Sequence, residues 1–351
     1  MRHHLIIALP LIVAFTSSVA QNPTTSVAEL PKDPRVLLAA AKPLYGYNDS
    51  ALKPWHLIGT YQIFDDDGNP AQQGRYEFWW EKPGVYKSSW SRGGSTRSEW
   101  HTADGNALQQ SAGDRLFYFE HAIENLVFSP VPDLSSLDQG GFEIKRDQMS
   151  IGKQKLPCVE IRAHARSDGK FPFLPGVQPG SYCFDPHIPV LRIEHLFNSV
   201  YIEFNELTNR QNHVIPREIS ITDRRHKLLT FRVETIGDWA DAETIKPPSG
   251  GVPFLSADRL LPYDEGRLEK KIPPVYPQAA KAERISGTVI LDAIIGRDGR
   301  VTDIRVLSSP SSLLTSASKD AVAQWQYSPR FLDGRPQEVN SIINVIFSLS
   351  Y

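Results

Sequence analysis

The strongest constraint on this chain is a succession of short runs with a period of two, each closed by turn residues, that starts at Trp55. Residues 55–64, 75–82, 85–90, 96–101 and 115–119 are rich in aromatic and β-branched side chains. Between them stand Asp67-Gly68-Asn69-Pro70, Lys82-Pro83-Gly84, Arg92-Gly93-Gly94 and Asp104-Gly105, residue types that favour tight reversals. Such runs predict antiparallel strands joined hairpin to hairpin. The pattern resumes at 142–150, 156–164, 181–185, 190–196, 200–206, 214–222 and 228–235. About ten to twelve strands are therefore expected, with no crossover-length helix between most of them. The 23 Gly, 27 Pro and only 2 Met suit such a turn-rich, mainly β chain better than a helical bundle.

In the run 75–82, Tyr76, Phe78 and Trp80 fall on one face and Arg75, Glu77 and Glu81 on the other. A large antiparallel sheet with one apolar face must close, fold over or be covered. Two pieces are placed to cover it: the segment 120–141, and a helix that Asp33 caps and Pro34 opens, with Val36, Leu37, Ala40, Ala41 and Leu44 as its apolar stripe. The apolar face then has two readings. It is ordinary core, or it is a cavity for a lipid-like ligand lined by Tyr76, Phe78, Trp80 and Trp90.

Arg2, His3 and His4 precede an apolar run at 5–15, and small residues fill 16–20. That is the three-part pattern of a secretory leader, with cleavage expected after Ala20. The apolar run is about half the length that a bilayer span needs. Residues 21–32 are polar with scattered Pro and Ala and read as a tether. Export to an oxidising compartment makes a Cys158–Cys183 disulfide the expected state of the two cysteines.

Lys and Arg number 38 against 40 Asp and Glu, a formal charge of −2, which disfavours a dedicated nucleic-acid binder. No P-loop, dinucleotide, HExxH or GxSxG motif occurs, so no catalytic residue, cofactor or metal is expected. His101 with Asp104, and Glu194 with His195, are the nearest approaches to acid–base pairs. Neighbours on one strand point to opposite faces, so Glu194 and His195 cannot converge.

Residues 246–271 are rich in Pro and Gly and read as a junction between a β domain at 33–245 and a C-terminal unit at 272–351. In that unit a short helix at 277–284 precedes strands at 287–295 and 301–307. Leu314, Ala317, Ala321 and Trp325 then recur at helical spacing, and the strand 340–351 alternates Ile343, Val345, Phe347, Leu349 and Tyr351. The order is α-β-β-α-β.

Pro274, Tyr276-Pro277, Ala279-Ala280, Gly287, Val289, Leu291, Gly299-Arg300-Val301, Val306, Leu313, Ala317, Ala321-Val322, Trp325-Gln326-Tyr327-Ser328-Pro329, Gly334-Arg335-Pro336 and the closing Val345 and Phe347 carry a resemblance. By these residues the unit resembles the C-terminal domain of the TonB family, over less than a quarter of the chain. The resemblance implies a periplasmic, non-enzymatic module whose final strand accepts an extended peptide from an outer-membrane receptor or other envelope protein. The site would be the backbone edge of Asn340, Ile342, Ile343, Asn344, Val345 and Phe347, with the Ile343, Val345 and Phe347 side chains in the core. A TonB-type transducer also keeps a membrane helix and a long Pro-rich spacer. Here the leader reads as cleavable and a β domain replaces the spacer, so docking is expected and energy transduction is not. An uncleaved leader would restore an inner-membrane transducer.

The helix after Asp33, the runs 57–61 and 76–80, and the hairpin from Tyr182-Cys183-Phe184-Asp185 to Pro189-Val190-Leu191-Arg192 give the first domain a looser resemblance to the LolA lipoprotein-carrier superfamily. That resemblance implies an incomplete β barrel with helices over its apolar face, and a lipid or lipoprotein as ligand. The overall expectation is mainly β: a large antiparallel incomplete barrel followed by an α+β module.

Overall fold

The computed structural model describes residues 29–111, 116–138, 141–164, 178–197, 199–223, 226–253, 267–332 and 335–349. The expected leader at 1–20 and most of the expected tether lie outside them, as does much of the expected junction. No helix among the described residues is long and apolar enough to cross a membrane.

Helix α1 (Pro34–Ala41) starts where its cap predicts, with the Asp33 carboxylate accepting from the backbone N–H of Arg35 and Val36. A first meander follows: β1 (Trp55–Phe64), β2 (Pro70–Lys82), β3 (Val85–Arg92), β4 (Ser95–Thr102) and β5 (Gly105–Gln110). Then come α2 (Tyr118–Phe128) and α3 (Leu134–Leu137). The second meander is β6 (Phe142–Ile151), β7 (Gln154–Ala163), β8 (Gly180–Phe184), β9 (Leu191–Leu196), β10 (Val200–Arg210), β11 (His213–Thr222) and β12 (Lys227–Asp238). The two meanders join where β1 pairs antiparallel with β12, from Trp55 opposite Asp238 to Ile63 opposite Leu229. Adding β13 (Val252–Pro253) on β5 gives one antiparallel sheet of 13 strands, running from β13 to β6 without closing. Residues 252 and 253 fall in the expected junction, yet they pair with the large sheet.

One reading needs correction. Residues 115–119 look like a strand, because Leu116, Phe117, Tyr118 and Phe119 form a dense aromatic run, but Tyr118 and Phe119 open α2. The apolar side chains that continue from Phe119 to Ile123, Leu126 and Val127 have helical spacing, and all four are buried. Glu120 fixes the start by accepting from the backbone N–H of Phe117 at 2.7 Å. Strand β5 is one of the elements that the sequence reading omits.

Cys158 and Cys183 stand opposite each other on β7 and β8 and form the expected disulfide. They pack with Leu156 and Ile193 on the face away from the main core.

The C-terminal unit has its own core. Its elements are β14 (Leu268–Lys270), α4 (Gln278–Ala282), β15 (Gly287–Ile295), β16 (Val301–Ser308), α5 (Ser312–Val322), β17 (Gln326–Tyr327), β18 (Arg330–Leu332), β19 (Arg335–Gln337) and β20 (Val339–Phe347). Strands β16, β15 and β20 form a three-stranded antiparallel sheet in that order. Val289, Leu291, Ala293, Ile343, Val345 and Phe347 pack on one face with Leu314, Val322 and Ala280 from the two helices. Trp325 lies just beyond α5 rather than within it, buried in this core with its indole N–H donating to the carbonyl of Ile272 at 2.8 Å.

The turn between β15 and β16 explains why glycine stands at 299. Gly299 has φ +79°, and a Cβ there would collide with the carbonyl of Tyr327. The close approach lets Tyr327 N–H donate to the Gly299 carbonyl at 2.8 Å, while Gln326 Nε2 donates to the Asp298 carbonyl at 2.8 Å. The Gly299-Arg300-Val301 and Trp325-Gln326-Tyr327 stretches that carry the family resemblance are thus two halves of one clip.

Candidate partner-binding edge

A sheet edge presents unpaired N–H and C=O groups, and proteins usually blunt it with charge, proline, a bulge or brevity. The ends of the sheets here differ in that respect. Strand β6 carries exposed Lys145, Arg146 and Asp147, and β13 is two residues long and contains Pro253. Strand β16 is charged at Asp303 and Arg305, and its pairing with β15 shifts register twice. Strand β20 has none of these devices. It runs nine residues without proline or charge, and it pairs with β15 without a register shift from Gly287 opposite Phe347 to Ile295 opposite Val339.

The residues expected at this edge divide by face. Ile343, Val345 and Phe347 are buried under the helices, as anticipated. Asn340, Ile342 and Asn344 point to the other face, the first two half-buried and Asn344 exposed. Ile346 belongs with them, is 72% exposed, and was missed. The signal was present: with Ile342 it is an apolar residue in the phase of the alternation that also carries Asn340 and Asn344. At the same end of the strand the Tyr276 ring meets Phe347 edge-on at 5.2 Å.

The helix-free face of this sheet is covered by the large β unit over most of its length. Ile290, Leu307 and Ile342 pack against the main core. Asp292, 4% exposed, accepts the backbone N–H of Tyr118 at 2.6 Å. The Arg305 guanidinium lies over the Phe117 ring. Ser199 Oγ meets Ser308 Oγ at 2.6 Å, and Lys319 Nζ reaches Asp66 at 2.7 Å. Burial pushes the Asp292 carboxyl up to about 6, although the Tyr118 N–H, Arg305 and Asn340 each pull it back. Sequence reasoning missed this seam. Its one visible hint was an acid in the middle of an otherwise apolar strand.

The four residues expected around an apolar cavity lie in packed core instead. Tyr76, Phe78 and Trp80 have no exposed surface and Trp90 has 1%. Phe78 meets Phe128 of α2 at 4.5 Å, and the Trp90 indole donates to the Glu120 carbonyl at 3.0 Å. Glu120 in turn binds Arg92 at 2.9 Å, both fully buried. Glu124, one turn further along α2, contacts Ser88 Oγ and accepts from Tyr47 OH at 3.1 Å. Burial pushes the Glu124 carboxyl up to about 7, with nearby Glu99 adding to the rise. Two cavities lie elsewhere. One of about 560 Å³ is lined by Glu29, Leu30, Arg146, Asp147, Gln148, Pro157 and Pro186. The other, about 20 Å³, lies beside Trp55 and Phe128 and has room for little more than one water. Neither is lined by the four residues.

Glu194 and His195 face opposite ways, as expected. Glu194 is buried toward Tyr182, and His195 stacks on Tyr201 at 4.3 Å. His101 stacks on Tyr86 at 4.1 Å.

Comparison with known proteins bears on the C-terminal unit. Residues 272–349 match the family described as Gram-negative bacterial TonB protein C-terminal. This part of the chain is TonB-like. Protein TonB of Pseudomonas aeruginosa is 42% identical over 95 residues, which is 27% of this chain and 28% of that protein. Protein TonB of Escherichia coli is 32% identical over 78 residues, 22% of this chain and 30% of that protein. The chain therefore spans less than a third of the length of these curated relatives, and most of it lies outside the matched region.

Among solved structures, a LolA superfamily protein from Nitrosomonas europaea overlaps 60% of this chain and 96% of its own, at 8% identity and a TM-score of 0.35. A putative outer membrane lipoprotein-sorting protein domain from Vibrio parahaemolyticus overlaps 56% and 91%, at 8% identity and a TM-score of 0.32. The open antiparallel sheet rests on its own strand order.

Proposed function

We propose that this is an exported envelope protein whose TonB-like unit docks a partner by adding an extended peptide strand to β20, in the service of envelope transport. The division proposed with it is a β domain at 33–245, a junction at 246–271 whose β13 pairs with the large sheet and whose β14 pairs with β17, and a docking module at 272–351. The observation that carries the reading is the contrast between edges. Every other end of the described sheets is short, bulged or charged, whereas β20 offers nine regular, uncharged residues and an exposed Ile346. A strand added there would gain main-chain hydrogen bonds along the edge and selectivity from side chains beside Asn344 and Ile346. Partners of this kind are outer-membrane receptors or other envelope proteins with an accessible extended segment. The aromatic face of the large sheet is filled by α2, which favours docking over a carrier role.

The test selects peptides of about ten residues from a random displayed library against the full chain, then compares binding to Ile346→Lys and Ile346→Pro. Ile346 is exposed, so Lys there leaves the core undisturbed, and amide exchange at Thr288, its partner on β15, reports whether the Pro variant keeps the β15–β20 pairing. The expected result is at least about a tenfold loss of affinity in both variants, with slowed exchange of β20 amides in the native complex. Peptides that bind both variants as well as the native chain, and leave β20 amides unprotected, would overturn the proposal.

A further inference from the structure

Helix α2 lacks a cap of its own. Its N-cap residue is Phe117, whose side chain accepts no hydrogen bond, in a position where Ser, Thr, Asp or Asn would normally satisfy an orphan N–H. Glu120 serves the N–H of Phe117, one residue before the helix. The first helical N–H, that of Tyr118, is served from 174 residues away by Asp292 Oδ2 at 2.6 Å.

Asp292 is an unusual residue for its place. It lies in the middle of β15, which is buried on both faces, and a carboxyl there is costly unless donors reach it. Beside Arg305 and Asn340, the donor that reaches it is the positive end of α2. The same seam joins Arg305 to Phe117 and Ser308 to Ser199, and it seats Ile290, Leu307 and Ile342 on the main core. Asp292 and Ile342 are also directly paired across β15 and β20.

We propose that the C-terminal sheet is a clamp on α2: Asp292 supplies from another part of the chain the cap that α2 lacks, so the seat of α2 on the aromatic face depends on the C-terminal unit. Helix α2 is where such a clamp has most effect. Its Glu120, Ile123 and Phe128 fill the face built by Tyr76, Phe78 and Trp90, and loss of the cap would free the end of α2 nearest the seam first. Strand β20 is the direct neighbour of Asp292, so a displacement of that edge reaches α2 through one strand. The proposal does not depend on what β20 binds.

The experiment measures hydrogen exchange of residues 118–128 in the full chain for Asp292→Ala, Asp292→Asn and, as a control on the exposed face of α5, Asp320→Ala. Asp292→Ala should speed exchange across the first turns of α2 by about tenfold or more, the size expected from loss of one cap. Asp292→Asn, which keeps an acceptor oxygen, should lie between it and the native chain, while β1, β2 and the control stay unchanged. Adding Phe117→Ser to Asp292→Ala gives α2 a local cap and should restore much of the protection. Unchanged α2 exchange in Asp292→Ala, or protection lost only with that of the whole molecule, would overturn the clamp. If Asp292→Ala does not fold, Asp292→Asn and Arg305→Ala against the same control decide the question by the same reading.

Discussion

Relative to the native protein, Glu194→Gln should gain stability as pH rises. Glu194 lies on β9, 4% exposed, and its Oε2 finds no hydrogen-bond partner among the described residues. Tyr182 on β8 and Tyr118 on α2 are the titratable groups that face it. Burial pushes its carboxyl from 4.5 up to about 8, with Tyr182 pulling partly back. A carboxyl raised in the folded state costs nothing while it is protonated both folded and unfolded, below pH 4.5. The cost grows as the unfolded chain ionises and is complete once pH passes the folded value near 8. At about 1.4 kcal/mol per pH unit, the span from 4.5 to about 8 amounts to a penalty on the order of 5 kcal/mol, of which about 3 kcal/mol is already present at pH 7.

Gln keeps the shape but does not titrate. It brings its own fixed cost for an amide without full partners, on the order of 1–3 kcal/mol, and that cost is the same at every pH. The slope is therefore the quantity to measure. Urea unfolding of both proteins, followed by tryptophan fluorescence at intervals from about pH 4 to pH 9, should give a stability difference that rises with pH and levels off at both ends. A difference that stays flat across that range would refute the reasoning and mean that Glu194 is solvated or paired.

Two further outcomes follow from the same structure. Gly299→Ala should cost on the order of 1–3 kcal/mol, because it combines a left-handed backbone with a collision at the Tyr327 carbonyl; faster amide exchange at Tyr327 would report the opened clip. Reducing the Cys158–Cys183 bond, which closes 25 residues, should lower stability by about 3 kcal/mol, read as a shift of the urea midpoint with and without reductant.

The strands were legible wherever a period of two ran between turn residues. Residues 55–64 and 287–295 are read as strands with the same ends that β1 and β15 have in the structure. In such segments the hydrophobic pattern, the turn chemistry and the backbone geometry agree within ten residues or so. The cap at Asp33 and the pairing of Cys158 with Cys183 were legible for the same reason: each rests on local chemistry or on a pair with no competitor. The edge at β20 was visible as an alternating, uncharged final strand.

Only the tertiary structure could decide the rest. Residues 118–128 hold aromatic density that suits a strand and a spacing that suits a helix, and the choice fell to the helix because the sheet offered an apolar face for it to fill. That filling makes Tyr76, Phe78, Trp80 and Trp90 core rather than cavity, since whether an apolar face stays open depends on a segment about 40 residues further along. The pairing of β1 with β12 and the cap that Asp292 gives α2 join residues 166 or more positions apart. No local pattern encodes such a contact. A chain writes its hairpins into neighbouring residues, but which buried acid meets which helix end is settled only when the two cores come together and each desolvated group must find a partner.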